Sequence, residues 1–189
     1  MKLAFDLHGV IINLMPQMQR WFIENRGFDP KGTEEAKSRF DFSLPEGYDP
    51  RQVGIDIARS INAYEHDAEE MPGSIKALRN FYAKGYEILI VTAAAPSTMQ
   101  ANIDWLNAHL KRPYVIDRVD TSIGKLAKLQ ELGVTHYVDD RFRTCNELSD
   151  HLDFIYLYNA KCNMGREIQK PNVLRVFDLK EVIRHFVKK

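Results

Sequence analysis

The chain has 189 residues with 26 basic and 26 acidic side chains, a formal net charge of zero. That balance supplies no bulk field toward nucleic acid or an anionic membrane, and the length suits one domain, or one domain with a modest insertion. Lys2 is followed by only three apolar residues before Asp6, unlike a signal peptide, and the longest apolar run, Ile88–Val91 with the alanines after Thr92, is far too short to span a bilayer. Cys145 and Cys162 are the only cysteines, which argues against a disulfide framework and leads us to expect a soluble protein of the reducing cytoplasm.

In chain order, Leu3–Phe5 reads as a first buried strand. Residues Asn13 to Met71 break the pattern. Met15, Met18, Trp21 and Phe22 fall at helical spacing, a Pro/Gly/Asp-rich middle follows, and Val53–Tyr64 resumes, with no strand expected. At MPGS the regular alternation returns. Ser74–Lys84 sets Ile75, Leu78 and Phe81 on one helical face; Glu87–Val91 reads as a strand; Gln100–Leu110 sets Ile103, Leu106 and Leu110 on one face. A helix over Lys125–Leu132 closes at Gly133, a left-handed cap. Strands follow at His136–Val138, Phe154–Tyr158 and Val173–Phe177, and Asp178 is the expected N-cap of LKEVIRHFV. This order predicts an α/β fold, a Rossmann-like parallel sheet flanked by helices. The core is expected to comprise residues 1–12 and 72–189, with a small, mainly helical cap at 13–71 inserted after the first strand.

Asp6, Thr92 and the pair Asp139–Asp140 each directly follow a predicted strand, at the rim where open α/β sheets gather ligands. Each has a plainer reading: Asp6 as a turn former, Thr92 as an ordinary strand end. Lys125 at the start of a helix opposes the macrodipole, which a nearby acid or phosphate would offset. Adjacent acids at the end of a buried strand repel unless positive charge lies near. Three carboxylates meeting at one rim make an oxygen site suited to Mg²⁺, with Lys125, the Thr92 hydroxyl and amides of the following loop, beginning at Ala93, left for phosphate oxygens. A carboxylate not wholly committed to metal can attack phosphorus.

The stretches FDLHGV, VTAAAPST, GKLAKLQELGV and YVDDR, in that order, resemble the four signature motifs of the haloacid-dehalogenase (HAD) superfamily. The likeness covers residues 1–12 and about 71–145. MPGS and the form of the third and fourth motifs are similar to the superfamily's 5′(3′)-deoxyribonucleotidases. The resemblance implies that Asp6 is nucleophile and Mg²⁺ ligand, that Thr92 and Ala93 bind the phosphoryl group, and that Lys125 neutralises it, with Lys128 the rival for that place. Asp139 and Asp140 would hold Mg²⁺, either one directly. Where such phosphatases carry a second Asp, this chain has His8. Its backbone carbonyl can still serve the metal, and an ordinary imidazole, with a pKa near about 6.5, exchanges protons around neutrality. His8 is therefore either the general acid/base or a substitution in a weakened protein that binds a phosphorylated ligand in a regulatory role. The expected partner is a small phosphorylated substrate, a nucleotide or another phosphate ester, rather than nucleic acid. Met15, Met18, Trp21, Phe22, Phe40 and Phe42 are candidates for an apolar wall against a base, though helical spacing favours simple packing. Arg20, Arg39 and Arg51 are candidates for a second phosphate, with solvated surface positions the plainer expectation.

Overall fold

The computed structural model describes residues 1–30, 45–64, 67–160 and 163–188. Arg39, Phe40, Phe42 and Cys162 lie outside the described residues.

Strand β1 (Leu3–Phe5) is apolar on both faces and no residue in it is more than 2% exposed, so it belongs inside a sheet covered on both sides. Six strands pair in parallel in the order β5-β4-β1-β6-β7-β8. They are β4 (Leu89–Thr92), β5 (Val115–Arg118), β6 (His136–Asp139), β7 (Phe154–Tyr158) and β8 (Val173–Val176). One face packs Leu3, Phe5, Ile90 and Val138 against helices α3 (Ser74–Ala83), α4 (Met99–Leu110) and α7 (Leu179–Val187). The other packs Ala4, Leu89, Val91 and Tyr137 against α5 (Ser122–Glu131) and α6 (Phe142–Leu148). No helix among the described residues is long and apolar enough to cross a membrane.

The α/β fold matches the sequence expectation, and the departures have local causes. β5 is an edge strand with Val115 exposed and its other residues half-buried, so it lacks the continuous apolar run that marks a central strand. The seven residues of α6 are too few for a clear helical period. Helix α5 begins at Ser122 rather than Lys125, because the Thr121 hydroxyl caps it by accepting from the Gly124 amide at 3.2 Å. Lys125 is thus one turn inside the helix. Asp178 does cap α7, accepting from the Glu181 amide at 2.8 Å.

Between β1 and α3 lie α1 (Met15–Arg26) and α2 (Pro50–Ala63), which pack on each other through their own cluster of Met18, Trp21, Phe22 and Val53. The expectation of no strand here needs correction. β2 (Ile12–Asn13) pairs antiparallel with β3 (Glu69–Glu70), a two-residue element whose glutamates carry little strand signal. The Met71 amide and the Ser74 hydroxyl both donate to the Ile11 carbonyl, at 2.8 and 3.0 Å, so the two ends of the inserted segment are tied together. Helix α2 also touches the 3-10 turn Pro96–Thr98 that follows β4.

A buried carboxylate joins the inserted helices. Asp56 of α2 accepts from Arg26 Nε at 2.9 Å and Nη2 at 2.7 Å, from Gln52 Nε2 at 3.0 Å, and from the Tyr48 hydroxyl. Burial alone would raise its pKa, but Arg26, Tyr48 and Gln52 outweigh burial and hold it at about 2. The unfolded carboxyl titrates near about 3.9, so the unfolded chain binds the extra proton first as pH falls. The cluster's stabilisation should therefore be complete above about pH 4 and lost as pH drops through 2. Urea midpoints measured from pH 5 to 2 should fall less steeply in Asp56→Asn, which starts from a lower stability.

Candidate active site

Parallel register puts the acids side by side. Phe5 is opposite Val138, and the Asp6 amide donates to the Val138 carbonyl at 2.8 Å, carrying the ladder one residue past β1. Asp6 thus lies beside Asp139, and strand alternation turns both toward the face of Ala4 and Tyr137, where α5 packs. From one turn inside α5, Lys125 reaches the same spot: its Nζ lies 2.7 Å from Asp139 Oδ2 and 3.1 Å from Asp6 Oδ2. Lys125 is only 3% exposed. Lys128 instead pairs with Glu131 on the surface at 2.7 Å, so of the two lysines Lys125 is the one at the acidic rim.

Oxygens of Asp6, Asp139 and Asp140 lie within 4.8 Å of one another. Both Asp139 oxygens have protein donors, Oδ2 from Lys125 and Oδ1 from the Arg141 amide at 2.8 Å. Asp6 Oδ1 is buried with no hydrogen-bond partner among the described residues. Burial, then the charges of Asp139 and Asp6, push Asp140 well above the usual carboxylate range. Burial would lower the Lys125 pKa, yet Asp139 and then Asp6 raise it above the ordinary lysine value, so the ammonium stays charged. Lys125 pairs with Asp6 and Asp139, and the half-buried Asp140 completes an all-oxygen cluster in which negative charge crowds. An oxygen-only donor set with an unpartnered buried carboxylate oxygen fits a hard divalent cation.

The strand order also explains the location. From β1 the chain builds outward through β4 to β5 on one side and through β6, β7 and β8 on the other, so the switch point lies at β1. Gly9 lets the chain turn away there. Its φ is +78°, and a Cβ on it would lie 2.3 Å from Asp140 Oδ2. Gly9→Ala combines a left-handed backbone cost of about 1–2 kcal/mol with a clash that displaces Asp140. We expect a lower melting temperature and at least a roughly tenfold loss of divalent-cation affinity by calorimetry, in line with disturbed ligand support.

Thr92 ends β4, the other neighbour of β1, and is 1% exposed; its hydroxyl oxygen accepts from the Ala94 amide at 3.2 Å, which tightens the following loop. Ala93 is exposed at the start of that loop. His8 is half-buried, and its Nε2 lies 3.0 Å from Asn102 Oδ1 on α4. Burial foremost, then the charges of Arg141 and Lys125, against the Asn102 hydrogen bond, bring its pKa down to about 4.

No protein-family model and no curated protein matches the sequence. Solved structures do resemble it in three dimensions. A putative beta-phosphoglucomutase from Thermotoga maritima superposes with a TM-score of 0.67 at 15% identity, over 100% of this chain and 99% of its own. A HAD family hydrolase from Deinococcus radiodurans R1, with bound phosphate and sodium, gives 0.64 at 15% identity over 99% and 95%. A D,D-heptose 1.7-bisphosphate phosphatase from B. bronchiseptica, complexed with magnesium and phosphate, gives 0.61 at 13% identity over 100% and 99%. The fold is that of haloacid-dehalogenase-like hydrolases.

Within this HAD-like fold, the four described side chains of the suggested apolar wall pack between helices. Met18, Trp21 and Phe22 are buried in the cluster between α1 and α2, with Met15 packed beside them. Arg20 is held by Glu24 and Asp67 and lies over the Tyr64 ring, while Arg51 is exposed. Two residues at the rim escaped the sequence reading. Asn102 is 2% exposed and shares a helical face with Trp105 and Leu106; a polar residue three and four positions from buried apolar ones was the available signal. Asn163, fully buried, donates to the carbonyls of Asp140 and Tyr158, both at 2.7 Å, and is itself held by Arg175. Nothing in the residues around Asn163 marked it in advance.

Proposed function

We propose that the protein is a Mg²⁺-dependent phosphomonoesterase acting on a nucleotide or another small phosphate ester. The observation that carries this reading is the convergence of Asp6, Asp139 and Asp140 with the buried Lys125 at the switch point, beside Thr92. In this mechanism an Asp6 oxygen attacks phosphorus as the ester P–O bond breaks, forming an aspartyl-phosphate. The imidazole of His8 gives a proton to the leaving oxygen, then takes one from the water that attacks the aspartyl-phosphate and frees inorganic phosphate. Lys125, the Thr92 hydroxyl and the Ala93 amide hold the phosphoryl oxygens. Asp6, Asp140, Asp139 and the His8 carbonyl would hold Mg²⁺, which supplies positive charge against those oxygens. Asp139, with both oxygens engaged by Lys125 and Arg141, is better placed to support the ion through water than to bind it directly. The segment 13–71, which carries α1 and α2, acts as the cap that admits small esters and excludes larger ones. Two cysteines in the whole chain suit a cytoplasmic setting.

A Mg²⁺-supported screen of deoxyribonucleotides, ribonucleotides and sugar phosphates tests this, with Asp6→Asn as control. Absence of phosphate release from the whole panel between pH 5 and 8 would sink the proposal. The low His8 pKa, about 4, favours a second reading, since a neutral imidazole has no proton to give a leaving group. On that reading the protein binds a phosphorylated ligand in a regulatory role with little turnover. Calorimetry that shows a nucleotide or sugar phosphate bound but not hydrolysed would select it.

A further inference from the structure

The hydrogen bonds around His8 decide which of its nitrogens carries the proton. Thr98, fully buried in the 3-10 turn after β4, has a single hydroxyl hydrogen and donates it to the Ala95 carbonyl at 2.9 Å. Toward Asn102, 3.5 Å away, the Thr98 oxygen is therefore an acceptor, and the Asn102 Nδ2 group faces it. That leaves the Asn102 Oδ1 toward His8, with Nε2 at 3.0 Å. A carbonyl oxygen cannot donate, so Nε2 must. The reversed amide would set Oδ1 against an oxygen whose hydrogen is already committed, in a buried place where water cannot repair the loss. No described residue is hydrogen-bonded to Nδ1.

We infer that Asn102 is a positioning residue that locks His8 as the Nε2–H tautomer, with the Nδ1 lone pair left free of protein partners among the described residues. This rests on the acid/base role proposed for His8. The lock joins two parts of the site. Thr98 belongs to the loop that leads from Thr92 into α4, so the segment proposed to receive the phosphoryl group also sets the imidazole. A shift of that loop moves the Asn102 amide and, through it, the ring.

The test reads the tautomer directly. The protein, ¹⁵N-labelled at histidine, is examined at about pH 8, where an ordinary imidazole is neutral. His8 signals are assigned among the six histidines by their loss in His8→Gln. Wild type should show a protonated-type Nε2 and a lone-pair-type Nδ1. Asn102→Leu, and Thr98→Val, which unpins the amide, should move His8 toward a tautomer mixture. Thr98→Ser, which keeps the hydroxyl, should restore the wild-type pattern. In Asn102→Leu and Thr98→Val, but not in Thr98→Ser, kcat should fall roughly 10- to 100-fold with KM changed by less than about twofold, since ring orientation and not binding is lost. A wild type with the proton on Nδ1 overturns the inference, as does Asn102→Leu with an unchanged tautomer. A wild type that shows Nε2–H yet hydrolyses no ester sinks the phosphatase reading and leaves the tautomer assignment standing.

Discussion

Lys125→Met should destabilise the protein by about 3–5 kcal/mol, because it removes the buried ammonium that pairs with the buried Asp6 and Asp139. For a chain of this length the melting temperature should drop by roughly 6–20 °C. Methionine nearly matches the lysine stem in volume, so lost packing contributes little and the effect reports charge. Divalent cation should then recover part of the loss. With the ammonium gone, the acidic cluster holds one more uncompensated negative charge, and a cation that binds only the folded form stabilises it by mass action. We expect millimolar Mg²⁺ to raise the melting temperature of Lys125→Met by more than that of the wild type. Phosphate release should still be down by roughly 10²–10³-fold, the usual scale for loss of one positioned charge at a developing anion. An unchanged melting temperature would show that the pair with Asp139 and Asp6 does not hold the rim together.

Asp6→Asn should have the opposite balance. The amide keeps the shape of the side chain and takes one negative charge from a site with an excess of them, while Lys125 retains Asp139 at 2.7 Å. Stability should stay level or rise. Turnover should fall by roughly 10⁴-fold or more, as it does when an attacking group is removed outright. A brief incubation with ³²P-labelled ester, quenched in acid, should leave label on the wild-type protein and none on the variant. Loss of turnover without loss of stability marks a residue kept for chemistry at the expense of the fold. A variant that melts far below wild type, or that still hydrolyses esters at a tenth of the normal rate, would remove Asp6 from the role of nucleophile.

Read by residue pattern alone, the chain revealed its sheet because buried parallel strands must be apolar on both faces, and Leu3–Phe5, Leu89–Val91 and Phe154–Tyr158 are. The acids were legible for a related reason. A carboxylate directly after such a run has to emerge at the strand's end, so the sequence alone assigns Asp6 and Asp139–Asp140 to one rim. Local rules also sufficed for Asp178 as a cap and for Gly133, whose φ is +66°. Elements whose cause lies elsewhere in the chain were not legible. β3 is a strand because the Met71 amide and Glu69–Glu70 meet residues almost sixty positions earlier, and β5 because it completes an edge.

The site divides in the same way. Residue type and strand position are properties of a short segment, and they named Asp6, Thr92, Lys125, Asp139 and Asp140; His8 was singled out by the family resemblance. Lys125 was preferred to Lys128 for its distance to Gly133, and packing of α5 on the sheet sets the first at the acidic rim and the second on the surface. The proton affinity of His8 needed the tertiary structure, because burial and the distant charges of Arg141 and Lys125 set that value, not the imidazole itself. Asn102 lies 94 residues from His8, and only the fold brings its carbonyl oxygen within 3.0 Å of the ring. Sequence by itself determined which groups stand at the rim, because strand ends are local; tertiary structure decided their charges, partners and proton positions, because those depend on every group packed around them.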